Sequence, residues 1–120
     1  MRFNTALLHS AKLGDENTGA TLTPIYQSSA FYQPSAEQHE KLFHNKATGY
    51  SYTRINNPTI AAFEERMTNL EKGVGSVACS SGMAALTNAL LNIVGAGGEI
   101  VSSTGLYGGT IDLFHDLEAF

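Results

Sequence analysis

Apolar side chains become regularly spaced from Asn57 onward. Asn57 is a suitable N-cap and Pro58 a suitable first helical residue. The residues that follow place apolar side chains on one helical face, at Ile60, Phe63, Met67 and Leu70. We expect this helix to end at Gly73, which would take a left-handed conformation after Lys72 at the negative end of the helix dipole.

Short apolar runs then alternate with further helical patterns. Val74 to Cys79 lacks polar alternation, which predicts a strand buried on both faces. Gly82 to Val94 predicts a helix that is apolar almost all round and covered by other elements, and Glu99 to Ser103 predicts a second short strand. A third helix follows Tyr107, with an apolar side at Ile111, Leu113, Phe114 and Leu117. This order indicates an α/β fold with parallel strands and right-handed crossovers.

The first half of the chain has a different pattern. Residues 1–56 contain turn-like or extended pieces, such as Leu22-Thr23-Pro24, and one short polar helix predicted from Ala36 to Phe43. We therefore divide the chain into residues 1–56, which cannot bury a core alone, and residues 57–120. Two strands leave much apolar helix surface uncovered, and the last helical pattern still continues at Phe120. The chain is expected to be the front part of a longer polypeptide.

Composition narrows the class of protein. The 120 residues are 42% hydrophobic and 15% charged with a net charge of -4, as in an ordinary globular protein. Basic residues are scattered, which argues against a nucleic-acid partner, and the sequence predicts no membrane-spanning segment and no signal peptide. The single cysteine, Cys79, lies in an apolar run and is expected to be a buried structural thiol. We expect a cytoplasmic protein.

The segment Ser80-Ser81-Gly82-Met83 joins the first predicted strand to the apolar helix. A helix that begins near Gly82 presents unpaired N–H groups and the positive end of its dipole beside the serine hydroxyls. Phosphate fits such a site, although a purely capping role for this segment remains open at this point. Ligands of parallel sheets bind at the carboxyl ends of strands, so residues 80–83 and 102–109 are expected on the same rim.

Several other catalytic sites are excluded by spacing. Gly73 to Ala78 matches the letters G-x-G-x-x-A but precedes a strand instead of following one, so it is not a dinucleotide fingerprint. A nucleophile elbow is absent. The four histidines have no metal-ligand spacing, and no metal site is predicted from His9, His39, His44 or His115.

Four segments together resemble one enzyme family. They are Pro24 to Ser29, Tyr50 to Thr59, Ser81-Gly82-Met83 and Leu106 to Thr110. In this order and spacing, the chain resembles the Cys/Met metabolism family of pyridoxal-phosphate enzymes, which has the aspartate-aminotransferase-like fold, fold type I. The resemblance implies that residues 1–56 form an N-terminal arm reaching a neighbouring subunit. Residues 57–120 would begin the large parallel-sheet domain that binds pyridoxal 5'-phosphate.

The resemblance also implies roles for particular residues. The cofactor phosphate would be held by Ser81 and by the N–H groups of Gly82 and Met83, and from the neighbouring subunit by Tyr52 and Arg54. Shared sites of this kind imply a dimer or higher oligomer, and the resemblance implies a homotetramer built from dimers. From the residues alone, an ion pair of Arg54 with an acid such as Glu64, and a simply packed Tyr52, stay open.

Tyr107 would stack on the pyridine ring and assist proton transfer, which makes it the one catalytic residue expected in this chain. A tyrosine packed at a helix start is the alternative. The lysine that binds the cofactor covalently, the acid at the pyridine nitrogen and the arginine for the substrate carboxylate are expected beyond Phe120. None of the chain's lysines matches the first of these, namely Lys12, Lys41, Lys46 and Lys72. The 120-residue chain alone is expected to be inactive.

Within the family, Gly109 bears on the reaction. Members that eliminate thiol from methionine often have a cysteine at this position, whereas Leu106 to Thr110 here more resembles O-acetylhomoserine sulfhydrylases. This resemblance implies γ-replacement on O-acetyl-L-homoserine by sulfide, giving homocysteine and acetate. Cystathionine γ-synthase, cystathionine lyase and methionine γ-lyase activities remain alternatives. A non-catalytic truncated or split chain is an alternative of another class.

Overall fold

The computed structural model describes residues 2–11 and 14–118, and these form two compact units that divide between Val77 and Ala78. The helices of the first unit are α1 (Phe3–His9), α2 (Ala36–Phe43) and α3 (Pro58–Glu71). Those of the second are α4 (Gly82–Ile93) and α5 (Gly108–Leu117). No helix within these residues has the length and hydropathy to cross a membrane.

In the first unit, α1 packs against α3, and the side chain of Asn69 on α3 donates a hydrogen bond to the Ser10 carbonyl after α1. The helix α1 was not predicted. This helix has seven residues and no side-chain cap, so neither length nor a capping residue indicated it.

The helix α2 has the bounds that were predicted. Its N-cap is Ser35, whose Oγ accepts a hydrogen bond from the Gln38 N–H at 3.2 Å. None of its residues is buried.

The predicted start of α3 is confirmed, and its predicted end is corrected. Asn57 is the N-cap and Pro58 the first helical residue. The left-handed residue at the other end is Lys72, with φ of 55°, whereas Gly73 was predicted to take this conformation. The Gly73 N–H donates to the Thr68 carbonyl at 2.9 Å, a bond that closes the helix and requires the left-handed turn one residue earlier.

The two predicted strands are not formed. Within residues 2–11 and 14–118 there is no β-strand, only two isolated antiparallel bridges, Asp15 with Ala20 and Ala30 with Tyr52. Residues 74–79 and 99–103 lack a neighbouring strand, and a strand is stable only as part of a ladder of hydrogen bonds. The parallel sheet and its crossovers are thus absent from the part of the chain described.

The burial predicted for these apolar segments is also wrong, because the sheet that would cover them is not formed. Val74, Val77 and Val101 are exposed, and so are Leu91 and Ile93 on α4, the helix that was expected to be covered on all sides. Cys79 is half-buried, and its Sγ lies 3.6 Å from Nδ2 of Asn88. Among the described apolar residues, only Ala11 is buried.

Candidate functional site

The start of α4 has the geometry of an anion site. Ser81 is the N-cap in an extended conformation, and its Oγ accepts a hydrogen bond from the Ala84 N–H at 3.1 Å. The N–H groups of Gly82 and Met83 belong to the first turn, where no carbonyl of the same helix is in reach. Neither N–H has a protein acceptor within the described residues. Two donors and the helix dipole therefore point outward from this end of α4.

Gly82 leaves space in front of these donors. A Cβ placed on Gly82 would meet no atom within 4 Å, and the Ser81 hydroxyl still has its own hydrogen to donate. The space that a side chain at residue 82 would occupy beside the helix start is thus empty. The segment caps the helix and keeps its donors available, so capping and anion binding are compatible here.

Tyr107 lies at the start of the other helix of this unit. Its carbonyl accepts hydrogen bonds from Thr110 N at 2.9 Å and Ile111 N at 3.3 Å, which begin α5. The backbone is therefore fixed, while the side chain is 74% exposed. The ring is available to a ligand and is not packed in a core.

Gly109 lies close to residues at the starts of both helices of the second unit. A Cβ at this position would lie 2.8 Å from Cε1 of Tyr107 and 3.4 Å from Sδ of Met83. The side chains of Tyr107 and Met83 thus both reach Gly109, so residues 83 and 107–109 lie close together although the strands expected to end at a common rim are not formed. Only glycine leaves the Tyr107 ring in its observed position.

Tyr52 and Arg54 belong to the first unit and occupy a turn. The Tyr52 carbonyl accepts hydrogen bonds from Ile55 N at 2.9 Å and Asn56 N at 3.1 Å, which places Arg54 inside the turn. Cζ of Arg54 lies 5.5 Å from the centroid of the Tyr52 ring, within range of a cation–π interaction. Both side chains are exposed.

The alternative partner for Arg54 is not used. Within residues 2–11 and 14–118, Arg54 forms no ion pair, and the ring of Tyr52 is its electrostatic neighbour. Tyr52 is 42% exposed, so it is not simply packed. The guanidinium keeps its hydrogen-bond donors available for an anion.

A polar network that the sequence analysis did not predict supports this turn. The Asn57 side chain accepts from Thr59 N at 2.8 Å and donates to the Tyr26 carbonyl and to Thr53 Oγ1, both at 3.0 Å. Thr59 Oγ1 in turn accepts from Tyr26 N at 2.8 Å. The sequence marked Asn57 as a cap, but its bonds to residues 26 and 53 depend on tertiary structure.

Other candidate groups are dispersed. The described residues contain no cluster of three metal-ligating side chains. His44 lies 3.9 Å from Glu40, and His115 lies 3.6 Å from Glu118, in exposed pairs within single helical segments. Lys41, Lys46 and Lys72 are exposed, and Lys12 lies outside the described residues.

A helix start with open donors beside an exposed aromatic ring suits a ligand that carries a phosphate and an aromatic ring. The Cys/Met metabolism PLP-dependent enzyme family matches residues 4–119. The chain belongs to this family, whose cofactor is pyridoxal 5'-phosphate.

Three relatives illustrate the match. An O-acetyl-L-homoserine sulfhydrylase of Corynebacterium glutamicum is 49% identical over 93% of this chain and 26% of its own length. A cystathionine γ-lyase of Bacillus subtilis is 44% identical over 92% of this chain and 27% of its own. A solved O-acetylhomoserine (thiol)-lyase of Campylobacter jejuni, which contains N'-pyridoxyl-lysine-5'-monophosphate, has a TM-score of 0.89 and 32% identity, covering 100% of this chain and 30% of its own.

The chain thus spans less than a third of the length of each of these proteins. Its structural likeness to fold type I enzymes supports the predicted fold class for the helices, while the parallel sheet is not formed by the described residues.

Proposed function

We propose that the full-length protein catalyses γ-replacement on O-acetyl-L-homoserine. Sulfide forms a bond to Cγ, the bond from Cγ to the acetate oxygen breaks, and the products are homocysteine and acetate. The 49% identical sulfhydrylase supports this reaction, and the family supports a pyridoxal-phosphate-dependent reaction of cysteine and methionine metabolism. When bound, the cofactor supplies an electron sink that makes departure from Cγ possible.

The open start of α4 is proposed to hold the cofactor phosphate. The N–H groups of Gly82 and Met83 and the Ser81 hydroxyl supply three donors to it, reinforced by the helix dipole. Tyr52 and Arg54 of the neighbouring subunit are proposed to reach the same phosphate, because a guanidinium with unused donors suits bidentate binding. This arrangement requires at least a dimer, and a homotetramer built from such dimers remains our proposal.

Tyr107 is proposed to lie against the pyridine ring and to hold or move a proton at its phenol oxygen. The single observation that carries the choice of reaction is the glycine at residue 109, which the Tyr107 ring closely approaches. A side chain at residue 109 would displace this ring, as 2.8 Å to a Cβ is far below van der Waals contact. The position of the Tyr107 ring thus depends on glycine at residue 109, within the segment that resembles O-acetylhomoserine sulfhydrylases.

The test uses the purified full-length protein loaded with cofactor and compares its kcat/KM values for different substrates. We expect kcat/KM for O-acetyl-L-homoserine with sulfide to exceed that for L-cystathionine or L-methionine by about 10-fold or more, the discrimination that one well-fitted group provides. Homocysteine and acetate should appear in equal amounts.

Release of 2-oxobutyrate from L-cystathionine or L-methionine at the higher rate would instead assign a γ-lyase. Formation of cystathionine from an acylated homoserine and cysteine at the higher rate would assign cystathionine γ-synthase. A protein that binds cofactor but turns over none of these substrates would support the non-catalytic alternative.

A further inference from the structure

Asn57 makes more hydrogen bonds than a helix cap requires. Its side chain is 3% exposed, and its Oδ1 accepts the N–H of Thr59 as the N-cap of α3. A cap needs this acceptor alone. The two amide hydrogens are used elsewhere, on the Tyr26 carbonyl and on Thr53 Oγ1. These two bonds tie the start of α3 to two other segments of the first unit.

Thr53 is the link from Asn57 to the turn that contains Tyr52 and Arg54. Its Oγ1 accepts from Asn57 and donates to the Ser28 carbonyl at 2.5 Å, while its N–H donates to the Ser29 carbonyl at 2.9 Å. Thr53 is thus held from two sides, by α3 and by residues 28–29. Because Thr53 stands between Tyr52 and Arg54 in the chain, its backbone sets the directions in which both side chains leave the turn.

The turn therefore has a polar, largely buried base and an exposed outer side. Asn57 is buried and Thr53 half-buried, whereas the Tyr52 ring and the Arg54 guanidinium lie outside, 5.5 Å apart. Asn57 and Thr53 do not need to contact a ligand in order to affect its binding. A turn already fixed in the binding conformation loses less freedom when the anion binds.

We propose that Asn57 and Thr53 are positioning residues that hold Arg54 in place, over the Tyr52 ring, for the cofactor phosphate. The inference rests on the phosphate role proposed above for Arg54. It adds that the affinity of the site depends on the hydroxyl of Thr53 and on the amide donors of Asn57, and that both act through Arg54.

The variants distinguish the positioning of Arg54 from helix capping and from the shape of the Thr53 side chain. Thr53→Val removes the hydroxyl and keeps the branched shape, whereas Thr53→Ser keeps the hydroxyl. Asn57→Ser retains a capping oxygen but lacks the amide donors. Ser35→Ala is the matched control, since it removes the cap of α2 in the same unit and touches neither the turn nor α3. Each variant is prepared in the full-length protein, alone and combined with Arg54→Ala.

The measurement is the dissociation constant of pyridoxal phosphate, from absorbance titration of the cofactor-free protein, with pyridoxal as the ligand that lacks phosphate. We expect Thr53→Val and Asn57→Ser to raise this constant about 10-fold, and Thr53→Ser and Ser35→Ala to change it less than about 2-fold. Pyridoxal binding should be unaffected. Combined with Arg54→Ala, neither variant should weaken binding further.

The outcomes distinguish the inference from the proposed function. Unchanged affinity in Arg54→Ala overturns the phosphate role and the inference with it. Two results would contradict the positioning role while leaving the phosphate site in place. In the first, Arg54→Ala weakens binding but Thr53→Val does not. In the second, Thr53→Val has the same effect with and without Arg54. Should Asn57→Ser fail to fold, the pair Thr53→Val and Thr53→Ser decides the question alone.

Discussion

Arg54 is a cation whose charge is not neutralised by an acid in the part of the chain that the structure describes. Its guanidinium lies over the Tyr52 ring, and both side chains are exposed. A cation–π contact orients the guanidinium but uses none of its in-plane donors. An exposed arginine in this state is suited to bind an anion.

Replacing Arg54 by alanine in the full-length protein should weaken the binding of pyridoxal phosphate. Hydrogen bonds to charged groups contribute about 1.5–3 kcal/mol, so the dissociation constant should rise roughly 10- to 100-fold. Arg54→Lys should recover part of this loss, since lysine keeps the charge but not the bidentate geometry. Absorbance titration of the cofactor-free protein measures both. A constant unchanged in Arg54→Ala contradicts the phosphate role.

Tyr107→Phe should slow turnover more than it weakens cofactor binding. The ring would still stack, but the phenol that holds or moves a proton is lost, which lowers kcat about 100-fold where a general acid or base acts. Steady-state kinetics and the cofactor titration are compared in the same preparation. Equal losses in kcat and in cofactor affinity would instead indicate that Tyr107 only packs against the ring.

At the scale of single elements, the start of α5 offers a matched pair of glycines. A Cβ at Gly109 would collide with the Tyr107 ring, whereas a Cβ at Gly108 would meet nothing within 4 Å. Both positions are in the first turn of α5, so alanine has the same effect on helix propensity at each.

Gly109→Ala should therefore displace the Tyr107 ring and lower kcat about 10-fold, since small errors of placement at a reacting centre are costly. Gly108→Ala should leave kcat within about 2-fold, because nothing has to move. The thermal unfolding midpoint should not fall in either variant, since the exposed ring can swing aside. Similar kcat values in the two variants would show that the contact at residue 109 is irrelevant.

Local chemistry explains which elements the sequence could predict. Asn57 was predicted as a cap and a capping role was left open for Ser81, because a cap depends on its own side chain and on an N–H two or three residues ahead. Local sequence could not show whether residues 74–79 and 99–103 form strands, because a strand requires hydrogen bonds to a second strand. The network of Asn57 was missed for the same reason, as its partners lie up to 31 residues away.

The candidate site was predictable only in part. The open helix start at Gly82 follows from sequence, because the first N–H groups of any helix lack partners. The contact of Tyr107 with Gly109 and the turn around Arg54 required coordinates, since they depend on side-chain direction. The roles of these residues toward the cofactor stay predictions.

At the scale of the whole molecule, the proposed sites are shared between subunits, which can be tested by mixing variants. Arg54→Ala and Tyr107→Ala should each have little activity as separate preparations. If Arg54 serves the neighbour's site, a mixed dimer has one site with both defects and one intact site. Random reassociation of equal amounts should then restore about a quarter of the wild-type activity. Mixtures that stay as inactive as the separate variants would place Arg54 and Tyr107 in the same subunit's site.

The most direct test of the account is an experimental structure of the full-length protein with pyridoxal phosphate bound. We predict phosphate oxygens at about 3 Å from the N–H groups of Gly82 and Met83, the ordinary length of such hydrogen bonds. Arg54 and Tyr52 of the adjacent subunit should contact the same phosphate, and the Tyr107 ring should lie against the pyridine. A phosphate bound away from the start of α4, or one contacted by neither Arg54 nor Tyr52, would contradict the central claim.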